Sequence, residues 1–161
     1  MPDWCKWIVL NGIKIFIMNV KLIADSGSTK CEWCLLMNKK KQKITTKGIS
    51  PYFLNEGQIE KLLLKELIEK IKNISVDEIY FYGTGLGHEA NVFIIKKVLK
   101  KLFSSAKIFV DTDLSAAAKA LCGDEKGICC ILGTGSNSCY YNGKKIVKNI
   151  PSLGYVLGDE G

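Results

Sequence analysis

The chain has 161 residues, 47% of them hydrophobic and 24% charged, with a formal net charge of +7. This length and composition predict one folded domain of ordinary size with a core of its own and exclude an intrinsically disordered chain. The lysines are dispersed, and the two densest runs, at 39–43 and 96–101, are not interleaved with aromatic residues. We therefore interpret them as solvated surface and expect no nucleic-acid partner.

Seven cysteines occur in a chain without a recognisable secretory signal, which favours a reducing, cytoplasmic location. Cys31 and Cys34 form a CxxC pair, but no second pair stands at the spacing of a zinc site. Cys129 and Cys130 are adjacent in an apolar run, so on a strand they should face opposite ways. We predict that the cysteines serve mainly as small buried apolar residues.

Residues 1–17 are apolar, but Lys6, Asn11, Gly12 and Lys14 interrupt them. The segment is too short and too broken for a membrane-spanning helix, and we expect no membrane partner. We interpret it as an extension or a misplaced start, with the domain beginning at Met18.

The next 55 or so residues predict a meander followed by a helix. Strand signals occur at 20–24, 31–37 and 42–46, with a Gly/Ser turn at 26–29 and a loop at 48–55. Apolar residues then keep helical spacing over 56–73, and Asn55 is placed to cap that helix.

The rest of the chain alternates strands with helices and then returns to strands. The predicted elements are strand 78–82, helix 89–103, strand 107–110, helix 114–121, and strands 127–132, 139–141 and 145–147. Alternation predicts an α/β fold with a mixed sheet, a parallel part and an antiparallel edge meander. The return to strands predicts a second domain: 18–123 would be the first, and 126–161 the start of another.

Two turns combine glycines with hydroxyl side chains, at 25–30 (DSGSTK) and 133–138 (GTGSNS). A phosphate group needs backbone N–H donors, close approach without Cβ atoms, and hydroxyl donors, and such turns supply all three. Asp25 at the end of the first strand could hold a hydrated divalent cation between phosphates. The two turns also form a weak internal repeat about a hundred residues apart.

These segments resemble motifs of the actin-like ATPase superfamily. Residues 22–30 (LIADSGSTK) resemble its first phosphate motif, and 131–138 (ILGTGSNS) resemble the second in the form found in N-acetylglucosamine kinases. Residues 156–161 (VLGDEG) resemble a later segment of those kinases, and Asp113 lies where the family places its catalytic aspartate. The resemblance covers 18–161, is closest to the N-acetylglucosamine kinase and BadF/BadG/BcrA/BcrD ATPase group, and implies a ribonuclease H-like fold.

The resemblance implies a role for each matching residue. Asp113 would be the catalytic base, and Asp25 would hold Mg²⁺ through water. The phosphate contacts would be Gly27, Ser28, Thr29, Lys30, Gly133, Thr134, Gly135 and Ser136. The sugar contacts would be Ser50, Asp113, Thr134, Asn137 and Asp159. Ser50 is a departure, because those kinases often carry asparagine there, so the identity of the sugar stays open.

The activity implied is ATP-dependent phosphorylation of an amino sugar, with ATP and Mg²⁺ as cofactors. The resemblance also implies that a full-length protein can form a homodimer. The chain lacks the adenosine-binding segment of the family, so we expect it to be an incomplete, inactive fragment. One alternative is an ATPase that activates a 2-hydroxyacyl-CoA dehydratase by electron transfer. Another is a non-catalytic nucleotide-binding remnant.

Several residues also have plain structural interpretations. Asp113 could be only a helix N-cap, and Asp111 is expected to be a strand-end residue rather than a catalytic one. Residues 83–87 (GTGLG) do not have dinucleotide-binding spacing, and we interpret them as a close-packed loop at the sugar side of a cleft. His88 is expected to lie on the surface.

Overall fold

The computed structural model describes residues 5–10, 13–38, 40–132 and 136–150, with side chains from Asn19 onward. It divides into two compact units, Met1–Asp111 and Thr112–Gly161. Strands β1 (Cys5–Leu10) and β2 (Ile13–Met18) pair antiparallel as a separate two-stranded sheet. The sequence had not predicted this hairpin in the segment interpreted as an extension.

The first unit is built on a five-stranded mixed sheet in the order β5-β4-β3-β6-β7. Its strands are β3 (Lys21–Ser26), β4 (Lys30–Met37), β5 (Lys40–Lys47), β6 (Glu78–Gly83) and β7 (Lys107–Thr112). β3 is antiparallel to β4, which is antiparallel to β5, and β3 is parallel to β6. The predicted three-stranded meander, β3 to β5, and the predicted parallel pairing, here between β3 and β6, are confirmed.

Strand β3 extends two residues beyond its predicted end. Asp25 and Ser26 stay in the sheet because they pair with Glu32 and Cys31 on β4, and with the end of β6 on the other side. The turn predicted at 26–29 is therefore shorter, and Ser26 belongs to the strand.

Helix α1 (Glu56–Glu66) begins with the predicted cap. Asn55 Oδ1 accepts from Gln58 N at 3.0 Å, and Gln58 Oε1 accepts from Asn55 N at 2.9 Å, which makes a capping box. The helix predicted to reach residue 73 was too long. After Leu67 the chain tightens into a 3₁₀ turn, Ile68–Ile71, with Leu67 and Ile71 both buried.

The core of the first unit joins the sheet to α1 and to helix α2 (Glu89–Leu102). Its largest fully buried side chains include Trp33 and Phe81, whose ring centroids lie 5.8 Å apart. Trp33 Nε1 donates to Thr46 Oγ1 at 3.1 Å, so the indole N–H is satisfied inside the core.

The second unit contains helix α3 (Asp113–Cys122) and an antiparallel sheet in the order β10-β9-β8. Its strands are β8 (Lys126–Leu132), β9 (Ser136–Asn142) and β10 (Ile146–Ile150). Leu114 and Ala118 of α3 are buried with Cys129 and Cys139 of the sheet. The units therefore divide after Asp111 rather than near residue 126, because α3 packs on the later strands.

Two local predictions in the second unit are confirmed. Cys129 is 1% exposed whereas Cys130 is exposed, so the adjacent thiols face opposite sides of β8. The turn at Asn142 and Gly143 joins β9 to β10, with Gly143 at a φ of 88°. In the part of the chain that is described, no helix combines the length and the apolar character needed to cross a membrane.

Candidate functional site

The first predicted phosphate hairpin joins β3 to β4. Gly27 N donates to Lys30 O at 2.9 Å and closes the turn, and the side chains of Ser28, Thr29 and Lys30 are all exposed. Lys30 Nζ lies 3.0 Å from Glu32 Oε1, in an exposed pair that costs little to rearrange. The first four predicted phosphate residues are thus together at one exposed tip.

Asp25 lies on β3 directly before this tip. Its side chain is exposed, and its register neighbours are Glu32 on β4 and Tyr82 on β6. A hydrated Mg²⁺ is usually held by one or two carboxylates together with phosphate oxygens. An accessible carboxylate beside the predicted phosphate hairpin fits that requirement.

Ser26 is a residue whose role the sequence did not reveal. It is completely buried, and its Oγ accepts from Ile49 N at 2.9 Å and donates to Ile49 O at 3.1 Å. Its backbone O accepts from Thr84 N at 3.0 Å. Ser26 therefore connects the hairpin to two other loops, the one at 48–55 and the one at 83–87.

Gly48 is the second residue that sequence reasoning missed. Its N–H donates to Thr29 O at 3.0 Å, and a Cβ at this position would lie 2.5 Å from Gly27 O. Such a contact with backbone atoms cannot be relieved by a side-chain movement. Only glycine lets the loop after β5 pack directly against the backbone of the turn at 27–30. The only sequence signal was a glycine immediately after a strand.

We expect Ser26→Ala to destabilise the 161-residue protein by about 2 kcal/mol, because both backbone groups of Ile49 would lose their buried partner. Urea unfolding of the two proteins measures this difference. Ser28→Ala is the matched control, since the Ser28 hydroxyl is exposed and should be worth less than about 0.5 kcal/mol. Equal midpoints for Ser26→Ala and the parent protein would contradict the assigned role.

Ser50, the first predicted sugar contact, lies on the loop held by Ser26. It is 1% exposed, and its Oγ has no hydrogen-bond partner among the described residues. Its backbone O accepts from Phe53 N and Leu54 N, both at 3.0 Å, so the loop itself is well ordered by hydrogen bonds. A buried hydroxyl without a protein partner requires an explanation, and hydrogen bonding to a bound ligand is one that the cost of burying an unpaired polar group allows.

The loop at 83–87 packs beside Ser50. Gly85 has a φ of 78°, and a Cβ there would lie 3.5 Å from Ser50 Oγ and 2.7 Å from Tyr52 Cε2. Asn91 Nδ2 donates to Gly85 O at 2.8 Å. The loop is close-packed at Gly85, as predicted, but not at the exposed Gly87. Its place at the sugar side stays a prediction. His88 is exposed, as predicted.

Asp113 is the first residue of α3, and it is not the N-cap. Thr112 has that position, and its Oγ1 accepts from Ser115 N at 3.2 Å. The alternative that Asp113 serves only as the cap is therefore wrong. Asp113 Oδ1 accepts from Leu114 N at 2.8 Å, and the first turn of a helix favours a negative charge.

The second predicted phosphate hairpin joins β8 to β9, where Leu132 pairs with Ser136. Asn137 follows on β9, and its Oδ1 is buried without a hydrogen-bond partner among the described residues. The predicted contacts Gly133, Thr134, Gly135 and Asp159 lie outside the described residues.

No protein-family model and no curated protein matches the chain. Solved structures do match it. One is a Porphyromonas gingivalis protein to which an N-acetylglucosamine kinase function is ascribed: it is 40% identical, with a TM-score of 0.80 over 86% of this chain and 50% of that one. This chain has the actin-like ATPase fold of sugar kinases. The predicted fold class is confirmed.

Two more distant structures have the same fold. A Chromobacterium violaceum protein with the same ascribed function is 17% identical, with a TM-score of 0.65 over 88% of this chain and 51% of that one. The ROK hexokinase of Thermus thermophilus is 20% identical, with a TM-score of 0.58 over 86% and 51%. The chain spans about half the length of each of these structures.

Proposed function

We propose that the chain carries the phosphate-binding and sugar-binding residues of an ATP-dependent sugar kinase. The observation that supports this most directly is Ser50 Oγ in the first unit, which is buried without a hydrogen-bond partner among the described residues. In the second unit, taken by itself, Asn137 Oδ1 is also buried without such a partner. Both side chains had been predicted as sugar contacts from the sequence. A buried polar atom without a partner costs about 1–3 kcal/mol, and a ligand with hydroxyl groups would remove that cost.

A third atom, Asn19 Oδ1, is also buried and unpartnered among the described residues. Its own Nδ2 donates to Glu78 Oε1 at 3.4 Å, at the opposite end of β3 from the hairpin tip. It is therefore not part of the proposed sugar site. The other two atoms, Ser50 Oγ and Asn137 Oδ1, belong to residues that were predicted to contact the sugar.

The proposed chemistry assigns a role to each of these groups. Asp113 would accept the proton of the attacking sugar hydroxyl, as an aspartate does in phosphoryl transfer generally. Backbone N–H groups and hydroxyls at 27–30 and 133–136 would hold the phosphates without the obstruction of Cβ atoms. Asp25 would hold Mg²⁺ through water, and the bound ion would neutralise phosphate charge.

We assign the substrate to the amino sugars, with the 6-hydroxyl of an N-acetylated hexosamine as the acceptor and the cytoplasm as the location. The ascribed function of the 40% identical protein supports this assignment, as do the motifs at 22–30 and 131–138. The resemblance of these motifs to the BadF/BadG/BcrA/BcrD group on its kinase side is the basis for proposing that group as the family.

The test uses a chimera in which residues 18–161 are followed by the remaining half of the Porphyromonas gingivalis protein. A coupled assay measures ADP release with N-acetylglucosamine, N-acetylmannosamine, glucosamine and glucose, and with no sugar. We expect ADP release only with a sugar, and none from the 161-residue chain alone. Equal ATPase activity with and without every sugar would overturn the kinase assignment; bound iron would then favour the dehydratase-activating alternative.

We expect Ser50→Ala to raise the KM of the chimera for its sugar about tenfold, the usual worth of one neutral hydrogen bond. The same substitution should leave the stability of the 161-residue chain unchanged or raise it slightly, since it removes an unsatisfied hydroxyl. Ser26→Ala is the contrasting variant, because it should lower stability. A fall in stability for Ser50→Ala, with KM unchanged, would show that Ser50 is structural.

A further inference from the structure

Three cysteines lie where α3 packs on the antiparallel sheet of the second unit. Cys122 is the last residue of α3, Cys129 is on β8, and Cys139 is its register partner on β9. Cys122 Sγ lies 3.2 Å from Cys129 Sγ, closer than two sulfur atoms in ordinary contact. Cys130 is exposed on the opposite face of β8.

The glycine at position 127 makes the contact between Cys122 and Cys129 possible. Gly127 and Cys129 are two residues apart on β8, so they share a face of the strand. A Cβ at Gly127 would overlap Cys122 Sγ. With no Cβ there, the Cys122 side chain lies over the strand and its sulfur reaches Cys129.

We propose that Cys122 and Cys129 form a thiol–disulfide site that a low-molecular-weight disulfide oxidises. The site is independent of the proposed kinase function. Cys122 is half-buried, and Cys129 is 1% exposed, so the reagent meets Cys122 first. Both thiols are free, and a small movement of the two side chains would bring the sulfurs to bonding distance.

The reaction takes place in two exchanges. The Cys122 thiolate attacks one sulfur of the reagent, its S–S bond breaks, and one small thiolate leaves. The Cys129 thiol then loses its proton and attacks Cys122 Sγ, which forms the protein disulfide and expels the second small thiolate. Two protein thiols are oxidised by two electrons, and the reagent is reduced to two thiols.

The environment of Cys129 supports this order. Its hydrogen bond with Cys122, followed by burial, raises its pKa to about 11, so it stays protonated while Cys122 is a free thiol. Cys122, which is half-buried, is therefore the thiol that reacts first with the reagent.

The test incubates the 161-residue protein with oxidised glutathione, blocks the remaining thiols with N-ethylmaleimide, and maps the trypsin digest without reduction. Trypsin cleaves after Lys119, Lys126 and Lys144, so Cys122 lies in peptide 120–126 and the other three cysteines of this unit lie in 127–144. We expect these two peptides to be joined, and fragmentation in the mass spectrometer to assign the bond to Cys129.

Variants give the matched comparison. Cys130→Ser should leave the linked peptides unchanged, because Cys130 faces away, whereas Cys122→Ser and Cys129→Ser should abolish them. The proposal is overturned if Cys122 is recovered blocked by maleimide or only as a glutathione adduct. It is also overturned if the bond joins Cys129 to Cys139, or if Cys130→Ser prevents the link. The wild-type fragmentation pattern decides these outcomes even if a variant does not fold.

Discussion

Asp113→Asn is expected to lower the sugar-dependent turnover of the chimera by about 10²–10⁴-fold, the usual contribution of a positioned general base. Asparagine has nearly the shape of aspartate but cannot accept the proton of the sugar hydroxyl. The KM for ATP should barely change, because in the proposed mechanism Asp113 does not contact the phosphates. Steady-state kinetics with ATP and sugar varied separately measures both effects.

Asp111→Asn is the control for that experiment. Asp111 is two residues earlier, is the next-to-last residue of strand β7, and has no proposed part in the chemistry. Its variant should keep turnover within about threefold of the parent. Because Thr112 supplies the cap of α3, a loss of activity in Asp113→Asn cannot be ascribed to a lost N-cap. Normal turnover for Asp113→Asn would leave the proposed kinase without its base.

Gly48→Ala is expected to destabilise the protein by about 3 kcal/mol, the upper part of the range for overpacking a well-packed region. The added Cβ would meet the backbone at Ser28 and Gly27, which is part of the phosphate hairpin itself. To relieve this contact, the hairpin tip must move. We therefore also expect the KM of the chimera for ATP to rise at least about tenfold.

Gly87→Ala is the matched control for Gly48→Ala. It is the same substitution in another loop of the first unit, and its added Cβ would have nothing within 4 Å. Urea unfolding should show a change below about 0.5 kcal/mol, and the KM for ATP should not change. If both alanine variants behave like the parent, the loop after β5 does not support the hairpin in the way described.

The sequence alone was sufficient for features that depend on neighbours along the chain. The meander, the α1 cap at Asn55 and the opposite orientation of Cys129 and Cys130 all follow from local periodicity and local hydrogen bonds. The turn at 27–30 was equally visible, because its glycine and hydroxyl residues are consecutive, and its role in binding phosphate stays a prediction. These features were predicted at or near their observed positions.

Only the tertiary structure decided which segments support that hairpin. Ser26 was predicted as a turn residue, yet it lies in the sheet and bonds to Ile49, 23 residues away. Gly48 was assigned only to a loop. Helix α3 was assigned to the first domain, although it packs on the antiparallel sheet of the second unit. Periodicity reports which face of an element is apolar. It does not report which distant surface covers that face, because the choice depends on packing between segments far apart in the chain.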